Sequence, residues 1–211
     1  LAQLRDKPLI KVLTGMRRVG KSTILKMFAQ RLKKEGVRAS RIIMVNFEEL
    51  ENAPLRTAEA LHRFIVGKLA KGTTTYIFLD EIQRVERYEE VLDSLYAKKG
   101  IDLYVTGSTA DLFSSEIATL LTGRYVEMNV LPFSFLEMTK AVGGKAGDAM
   151  EKRRFMDYLT YGAMPESFAF NTGSPEQREY VESVYRTILE KDVLKRNKEG
   201  GRLLVGQMLK Y

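Results

Sequence analysis

Apolar residues follow two different spacings in the first 130 residues of the chain. Short runs that are apolar at nearly every position predict strands, and apolar residues three and four positions apart predict amphipathic helices. Strands are predicted at residues 9–14, 41–47, 75–81, 101–106 and 125–130. Helical spacing is found between them, over residues 24–32, 61–69, 88–95 and 112–121. Strands and helices therefore alternate along this part of the chain.

The alternation predicts an α/β fold with three layers. A connection between two parallel strands is almost always right-handed and carries a helix back across the sheet, so helices cover both faces of a parallel sheet of about five strands. Ligands bind such sheets at the carboxyl edge, where the strands end. Polar residues that follow the predicted strands are therefore the first candidates for a functional site.

The pattern changes after residue 131. Pro132 ends the predicted sheet, and residues 142–147 are a glycine-rich loop. A long amphipathic helix is predicted over about residues 175–195, because apolar side chains recur there at i, i+3, i+4 and i+7. We divide the chain into a core, a small helical lid region and the start of a C-terminal region, over residues 1–131, 132–196 and 197–211. The chain begins with Leu1 rather than Met and ends within an apolar pattern typical of a helix, so we expect a piece of a longer protein.

Composition narrows the class of protein. The 211 residues are 45% hydrophobic and include no cysteine, which excludes a disulfide framework. No apolar run approaches membrane length and no signal peptide is visible at the observed start, so we expect a cytoplasmic protein without a membrane partner. The net charge of +7 favours polyanions such as nucleic acid. Lys and Arg are interleaved with acids throughout, however, which favours an ordinary solvated surface.

The segment from Gly15 to Ser22 fits the phosphate-binding pattern G-x-x-x-x-G-K-[ST] and joins the first strand to the first helix. Gly15 and Gly20 let the backbone N–H groups turn toward the phosphates, and the following helix presents the N–H groups of its first turn. Lys21 then reaches the β- and γ-phosphate oxygens, and the Ser22 hydroxyl ligates Mg²⁺. A chance match would not explain the strand before the loop and the helix after it. The segment predicts a nucleoside-triphosphate site.

Other residues of this loop are candidates for nucleotide contact. Arg17 and Arg18 either add charge near the nucleotide or face a partner, and side chains at these positions mostly point outward. The candidate nucleotide-binding residues are Gly15, Arg17, Arg18, Val19, Gly20, Lys21, Ser22, Thr23 and Ser108.

Two carboxylates, Asp80 and Glu81, end the third predicted strand. A strand buried on both faces delivers them to the carboxyl edge of the sheet. Asp80 is expected to hold Mg²⁺ together with Ser22, because both supply hard oxygen atoms. Glu81 is expected to be the general base that takes a proton from the water attacking the γ-phosphate. The alternative for Glu81 is a solvated acid that caps a helix.

The order of these motifs resembles that of the AAA-plus ATPases. The residues within the individual motifs resemble one prokaryotic branch of these ATPases more closely. Members of that branch have a G-x-R-R-x-G-K-S loop and often an extra C-terminal domain of uncertain function. The matching segments are residues 15–22, 79–83, 106–108, 121–124, 131–137, 161–166 and 190–193. The resemblance implies a P-loop sheet with strand order 5-1-4-3-2, because a complete strand-helix unit separates the phosphate loop from the strand of Asp80.

The resemblance also implies roles for polar residues at other strand ends. Thr106 or Ser108 takes the place of the sensor that bonds the γ-phosphate or the attacking water, although AAA-plus proteins usually have Asn there. Ordinary turn chemistry is the alternative. Asn46 takes the place of a residue that holds the catalytic Glu inactive until a partner binds. A side chain that satisfies its own loop is the alternative.

Arg124 occupies the place from which AAA-plus subunits insert an arginine into a neighbour's active site. Such an arginine contributes about 10³ to 10⁵ in rate, and this role would require a homo-oligomer. The alternative is a structural ion pair at the sheet edge. We therefore expect Glu81, Lys21 and Arg124 as the catalytic residues.

These observations predict a Mg²⁺-dependent ATPase of AAA-plus type that acts on an unknown protein or nucleic-acid partner. A GTPase is disfavoured because residues 197–200 fail the guanine signature N-K-x-D at its last position. A small-molecule kinase has no need of the water-activating Glu81. The remaining alternative is a slow ATP-gated switch or scaffold whose hydrolysis only resets it.

Overall fold

The computed structural model describes residues 1–107, 121–145, 147 and 150–189. The chain divides into two compact units. The first comprises Leu1–Gly15 and Gly20–Val130, and the second comprises Met16–Val19 and the residues from Leu131 onward.

The first unit is built on a five-stranded parallel sheet. Its strands are β1 (Ile10–Thr14), β2 (Ile42–Asn46), β3 (Thr75–Asp80), β4 (Ile101–Thr106) and β5 (Tyr125–Asn129). They lie in the order β2-β3-β4-β1-β5, which is the expected 5-1-4-3-2 order written from the other edge. The predicted α/β class and strand order are confirmed.

Helices cover both faces of this sheet. They are α1 (Lys21–Lys34), α2 (Ala58–Val66) and α3 (Tyr88–Tyr96). Successive residues of a strand point to opposite faces, so Ile77 and Leu79 join the core under α2 and α3, whereas Tyr76 and Phe78 join the core under α1. The helix predicted over residues 112–121 lies outside the described residues except for Leu121, which is buried in the core with α2 and α3.

A buried ion pair lies near the amino edge of the sheet, opposite the phosphate loop. Lys11 Nζ in β1 is 2.5 Å from Asp102 Oδ1 in β4, and both side chains are fully buried. Lys11 also donates to the Lys7 carbonyl at 2.7 Å. Asp102 Oδ2 accepts hydrogen bonds from the Asp6 N–H (2.8 Å) and the Tyr104 hydroxyl (2.9 Å). Burial, reinforced by the Asp102 charge, raises the pKa of Tyr104. The network fastens the N-terminal segment to the sheet.

The second unit is helical in its described part. Its helices are α4 (Phe135–Ala141), α5 (Glu151–Tyr161) and α6 (Pro175–Ile188). Ser134 caps α4 in a reciprocal pair with Glu137, which satisfies N–H groups that the first turn leaves open. Helix α6 begins at Pro175, where the sequence predicted it to begin, and its predicted extension past residue 189 lies outside the described residues. Among the helices that the structure describes, none combines the length and apolar character needed to cross a bilayer.

We expect the Lys11–Asp102 pair to be essential for the stability of the sheet. Asp102→Asn leaves the Lys11 ammonium buried without its counter-charge and should lower the free energy of unfolding by about 3–5 kcal/mol, measured by denaturant titration. Replacing both partners with apolar residues (Lys11→Met with Asp102→Leu) should cost less than the single change, because no charge then stays buried. A single variant within about 1 kcal/mol of wild type would contradict this account.

Candidate nucleotide-binding site

The phosphate loop begins where β1 ends and α1 starts. Gly15 has φ +138° and Gly20 has φ +98°, backbone conformations that strain any residue with a Cβ atom. Gly20 is the N-cap of α1, whose first turn contains no acid. The N–H groups of that turn and the positive end of the helix dipole therefore favour an anion. In the first turn Ser22 is half-buried and Thr23 is exposed.

Lys21 is held inside this loop. Its side chain is 4% exposed, and Nζ lies 4.0 Å from Glu81 Oε1. The ammonium also donates to the Gly15 carbonyl at 3.0 Å. A buried ammonium at a helix N-terminus is suited to bind phosphate oxygens, as the sequence predicted for Lys21.

The hydroxyl of Thr106 links the two carboxylate-bearing residues. Strands β3 and β4 are neighbours, with Leu79 opposite Val105, so their carboxyl ends meet. Thr106 Oγ1 donates to Asp80 Oδ1 at 2.5 Å and accepts the N–H of Glu81 at 2.9 Å. The only hydrogen of this hydroxyl is thus committed to Asp80. Thr106 thus holds the Asp80 carboxylate and the Glu81 backbone in place, and the sensor role that the resemblance gave to Thr106 or Ser108 stays a prediction.

Glu81 adopts a left-handed backbone conformation (φ 57°, ψ 50°) immediately after β3. The 3₁₀ helix Ile82–Arg84 follows, and the Glu81 side chain makes no capping hydrogen bond to it. The carboxylate is instead bonded through Oε2 to Gln83 Nε2 at 2.6 Å. The capping role considered for Glu81 is therefore not observed. Gln83 was missed by the sequence reasoning, although it belongs to the Leu79-to-Gln83 segment that signalled the family.

Asn46 does not contact Glu81 in the hydrogen bonds that the structure describes. Its Oδ1 accepts the N–H of Glu48 at 2.9 Å, and its Nδ2 donates to Glu49 Oε1 at 3.4 Å. Both partners lie in the loop that follows β2. Asn46 thus has the alternative role, a side chain that satisfies its own loop.

Arg124 lies at the amino edge of the sheet. Its carbonyl accepts the Ile10 N–H at 2.9 Å, and Ile10 is five residues before Gly15, or about 16 Å along a strand. The guanidinium forms an ion pair with Asp93 and lies 5.6 Å from the centre of the Tyr96 ring. Arg124 therefore cannot reach the phosphate loop of its own chain, and the ion pair considered as an alternative is present.

Arg18 belongs to the second unit, together with Glu166 and Tyr180. Its guanidinium donates to Glu166 Oε2 at 3.0 Å, and the Tyr180 hydroxyl donates to the same oxygen at 3.0 Å. The hydrogen bond to Glu166 raises the pKa of Arg18. The Arg18 charge is thus directed to a carboxylate of the second unit. Arg17 is half-buried and Val19 is buried, and Ser108 lies outside the described residues.

Comparison with known proteins places this geometry in a family. A family model described as "AAA domain" matches residues 7–139. An uncharacterized protein of Haemophilus influenzae is 31% identical over 197 residues, which cover 93% of this chain and 49% of that protein. An uncharacterized protein of Methanocaldococcus jannaschii is 30% identical over 203 residues, covering 90% of this chain and 44% of that one. The chain spans about half the length of these curated relatives.

The solved structures to which the chain is similar are more distant in sequence. Caenorhabditis elegans PCH-2 is 16% identical with a TM-score of 0.48, over 92% of this chain and 53% of that one. The Aeropyrum pernix ORC1 protein, solved in complex with DNA, is 15% identical with a TM-score of 0.44, over 99% of this chain and 68% of that one. The match to the family model extends over more than half of the sequence, and the chain accordingly belongs to the AAA domain family.

Proposed function

We propose that the chain binds ATP with Mg²⁺ and hydrolyses it, as an AAA-plus ATPase coupled to a protein or nucleic-acid partner. The observation that carries the proposal is the meeting of opposite charges at the carboxyl edge of the sheet. Lys21 Nζ lies 4.0 Å from Glu81 Oε1, and Asp80 is tied to the backbone of Glu81 through Thr106. A phosphate-binding cation, a metal-binding carboxylate and a proton acceptor are what the hydrolysis of a triphosphate requires.

Each residue has a distinct role in the proposed reaction. Lys21 binds the β- and γ-phosphate oxygens. Ser22 and Asp80 fit Mg²⁺, because a hydroxyl and a carboxylate are oxygen ligands of the kind it prefers; the bound ion would neutralise charge on the phosphates. Glu81 accepts a proton from a water molecule while the water oxygen attacks the γ-phosphorus. The bond between the γ-phosphorus and the oxygen that bridges it to the β-phosphate then breaks, and this oxygen leaves with ADP. ADP and phosphate are the products.

The branch of the family is also part of the proposal. The G-x-R-R-x-G-K-S loop at residues 15–22 supports the prokaryotic branch with a further C-terminal domain. The relatives found in a bacterium and an archaeon, each about twice the length of this chain, are consistent with that assignment.

A slow ATP-gated switch is the second candidate function. The contact that favours it is the hydrogen bond between Gln83 and Glu81, since it occupies one of the two carboxylate oxygens of the proposed base. In a switch, hydrolysis resets the protein and the bound ATP recruits the partner.

We expect Glu81→Gln to retain ATP binding and to hydrolyse ATP about 10² to 10⁴ times more slowly, because an amide cannot accept the proton from water. The measurements are phosphate release and calorimetric ATP binding. Lys21→Ala should lose binding itself. Glu51→Gln, the same chemical change in the first turn of a separate 3₁₀ helix, is the matched control and should behave as wild type. Wild-type turnover in Glu81→Gln would remove Glu81 from its role.

We also propose that Arg124 acts on the site of a neighbouring subunit. A mixture of Arg124→Ala, which binds ATP, and Lys21→Ala, which still presents Arg124, should regain ATPase activity that neither variant has alone. Asp93→Asn separates this role from the structural one, because it breaks the observed ion pair with Arg124 but leaves the arginine present.

The two roles of Arg124 predict different results for Asp93→Asn. An arginine that acts in the neighbour predicts activity close to wild type. If Asp93→Asn loses as much activity as Arg124→Ala, and the mixture stays inactive while wild type assembles and turns over, Arg124 is structural.

A further inference from the structure

Glu81 and Lys21 are buried opposite charges that have not closed into a direct ion pair. Their side chains are 11% and 4% exposed, and the distance from Lys21 Nζ to Glu81 Oε1 is 4.0 Å. A direct pair would be about 2.8 Å long. Such closure would place the Glu81 carboxylate on the ammonium that binds phosphate, and would use the oxygen that should accept a proton. Something must therefore hold the carboxylate back.

Gln83 makes the contact that does this. Its Nε2 donates to Glu81 Oε2 at 2.6 Å, which is short for an N–H···O bond and typical of one to a charged acceptor. The bond uses Oε2 and leaves Oε1 as the oxygen that lies 4.0 Å from Lys21 Nζ. The amide orientation is dictated by chemistry, because an ionised carboxylate only accepts hydrogen bonds and the amide nitrogen must face it.

The backbone fixes Gln83 for this contact. The left-handed conformation of Glu81 reverses the chain after β3, and Gln83 follows in the 3₁₀ helix Ile82–Arg84. Ile82, just before it, and Val85, two residues after it, are 0% and 2% exposed. The turn is closed by the hydrogen bond from the Arg84 N–H to the Glu81 carbonyl at 3.1 Å. Gln83 is thus anchored by its buried neighbours and has only its side chain free to act.

The oxygen of the Gln83 amide makes no second hydrogen bond within the described part of the chain. Oε1 is buried and has no hydrogen-bond partner among the residues that the structure describes. A glutamine with a purely architectural role would be bonded at both ends, since a buried carbonyl without a partner is costly. The bond to Glu81 is the one that orients the amide.

We propose that Gln83 is a positioning residue for the ATPase reaction, holding the Glu81 carboxylate off the Lys21 ammonium so that each is available for its own task. The inference rests on the proposed function, in which Glu81 accepts the proton from water and Lys21 binds phosphate. The role proposed for Gln83 requires no contact with the nucleotide or with the water. Gln83 acts through Glu81, whereas Asn46, the residue expected to control Glu81, is bonded within its own loop.

The experiment is a double-mutant cycle between positions 83 and 81, which isolates the coupling of the two residues. Gln83→Met removes the donor and retains the length of the side chain. With Glu81 present, Gln83→Met should lower kcat at least tenfold and weaken ATP binding severalfold, because the freed carboxylate closes on Lys21. With Glu81→Gln, the same change at position 83 should alter neither single-turnover rate nor ATP binding, since no carboxylate remains to be held.

Two controls keep the result specific. Gln30→Met makes the same replacement at an exposed position of α1 and should leave both quantities unchanged. Thermal unfolding of each variant tests for a general loss of structure, and Gln83→Leu, which also lacks the donor and adds no charge, repeats the cycle if Gln83→Met does not fold.

The outcomes separate the two proposals. If Glu81→Gln lowers hydrolysis but Gln83→Met does not, or if Gln83→Met has equal effects with and without the Glu81 carboxylate, the positioning role is wrong and the ATPase proposal stands. If wild type neither binds nor hydrolyses ATP, both are wrong. Faster hydrolysis in Gln83→Met would also overturn the inference, because Gln83 would then restrain the base.

Discussion

The site depends on one hydroxyl group, that of Thr106. It lies at the end of β4, is fully buried, and bonds both the Asp80 carboxylate and the Glu81 backbone N–H. The parallel pairing of β3 and β4 brings these groups together, and the hydroxyl is small enough to join them without disturbing the sheet. Because Glu81 holds a left-handed backbone conformation that costs energy for a residue with a side chain, its N–H needs a fixed acceptor. Thr106 supplies it and fixes the Asp80 carboxylate as well, whereas the Glu81 carboxylate is bonded to Gln83.

The sheet and its carboxyl edge could be predicted from the sequence because they depend on local periodicity and chain connectivity. Apolar runs such as Ile77 to Leu79 are buried on both faces, as their lack of alternation indicated. The phosphate loop could also be predicted from the sequence, because the positive φ angles of the loop require glycine at positions 15 and 20. That Lys21 and Glu81 lie at the same edge could also be predicted, because both follow the carboxyl ends of parallel strands.

The remaining features depend on contacts that no spacing encodes. Thr106 donates to Asp80 across the β3–β4 pair, and this choice of partner depends on the geometry of adjacent strands. Two amide side chains could contact Glu81: Asn46 ends the neighbouring strand β2, and Gln83 lies two residues after Glu81. Only the structure of the turn after β3 shows that Gln83 makes the contact. The ion pair of Arg124 with Asp93 joins residues that are 31 positions apart. The motif at residues 190–193 and the apolar pattern at 203–209 lie outside the described residues.

The most direct test of the account is calorimetric titration of the wild-type protein with ATP and with GTP, each with and without Mg²⁺. The phosphate loop, Lys21 and the oxygen ligands of Ser22 and Asp80 predict that ATP binds, that Mg²⁺ strengthens its binding, and that GTP binds more weakly because no guanine-reading motif is present in the sequence. Equal affinity for the two nucleotides, or no binding of either with Mg²⁺ present, would contradict the assignment of this edge of the sheet as an ATP site.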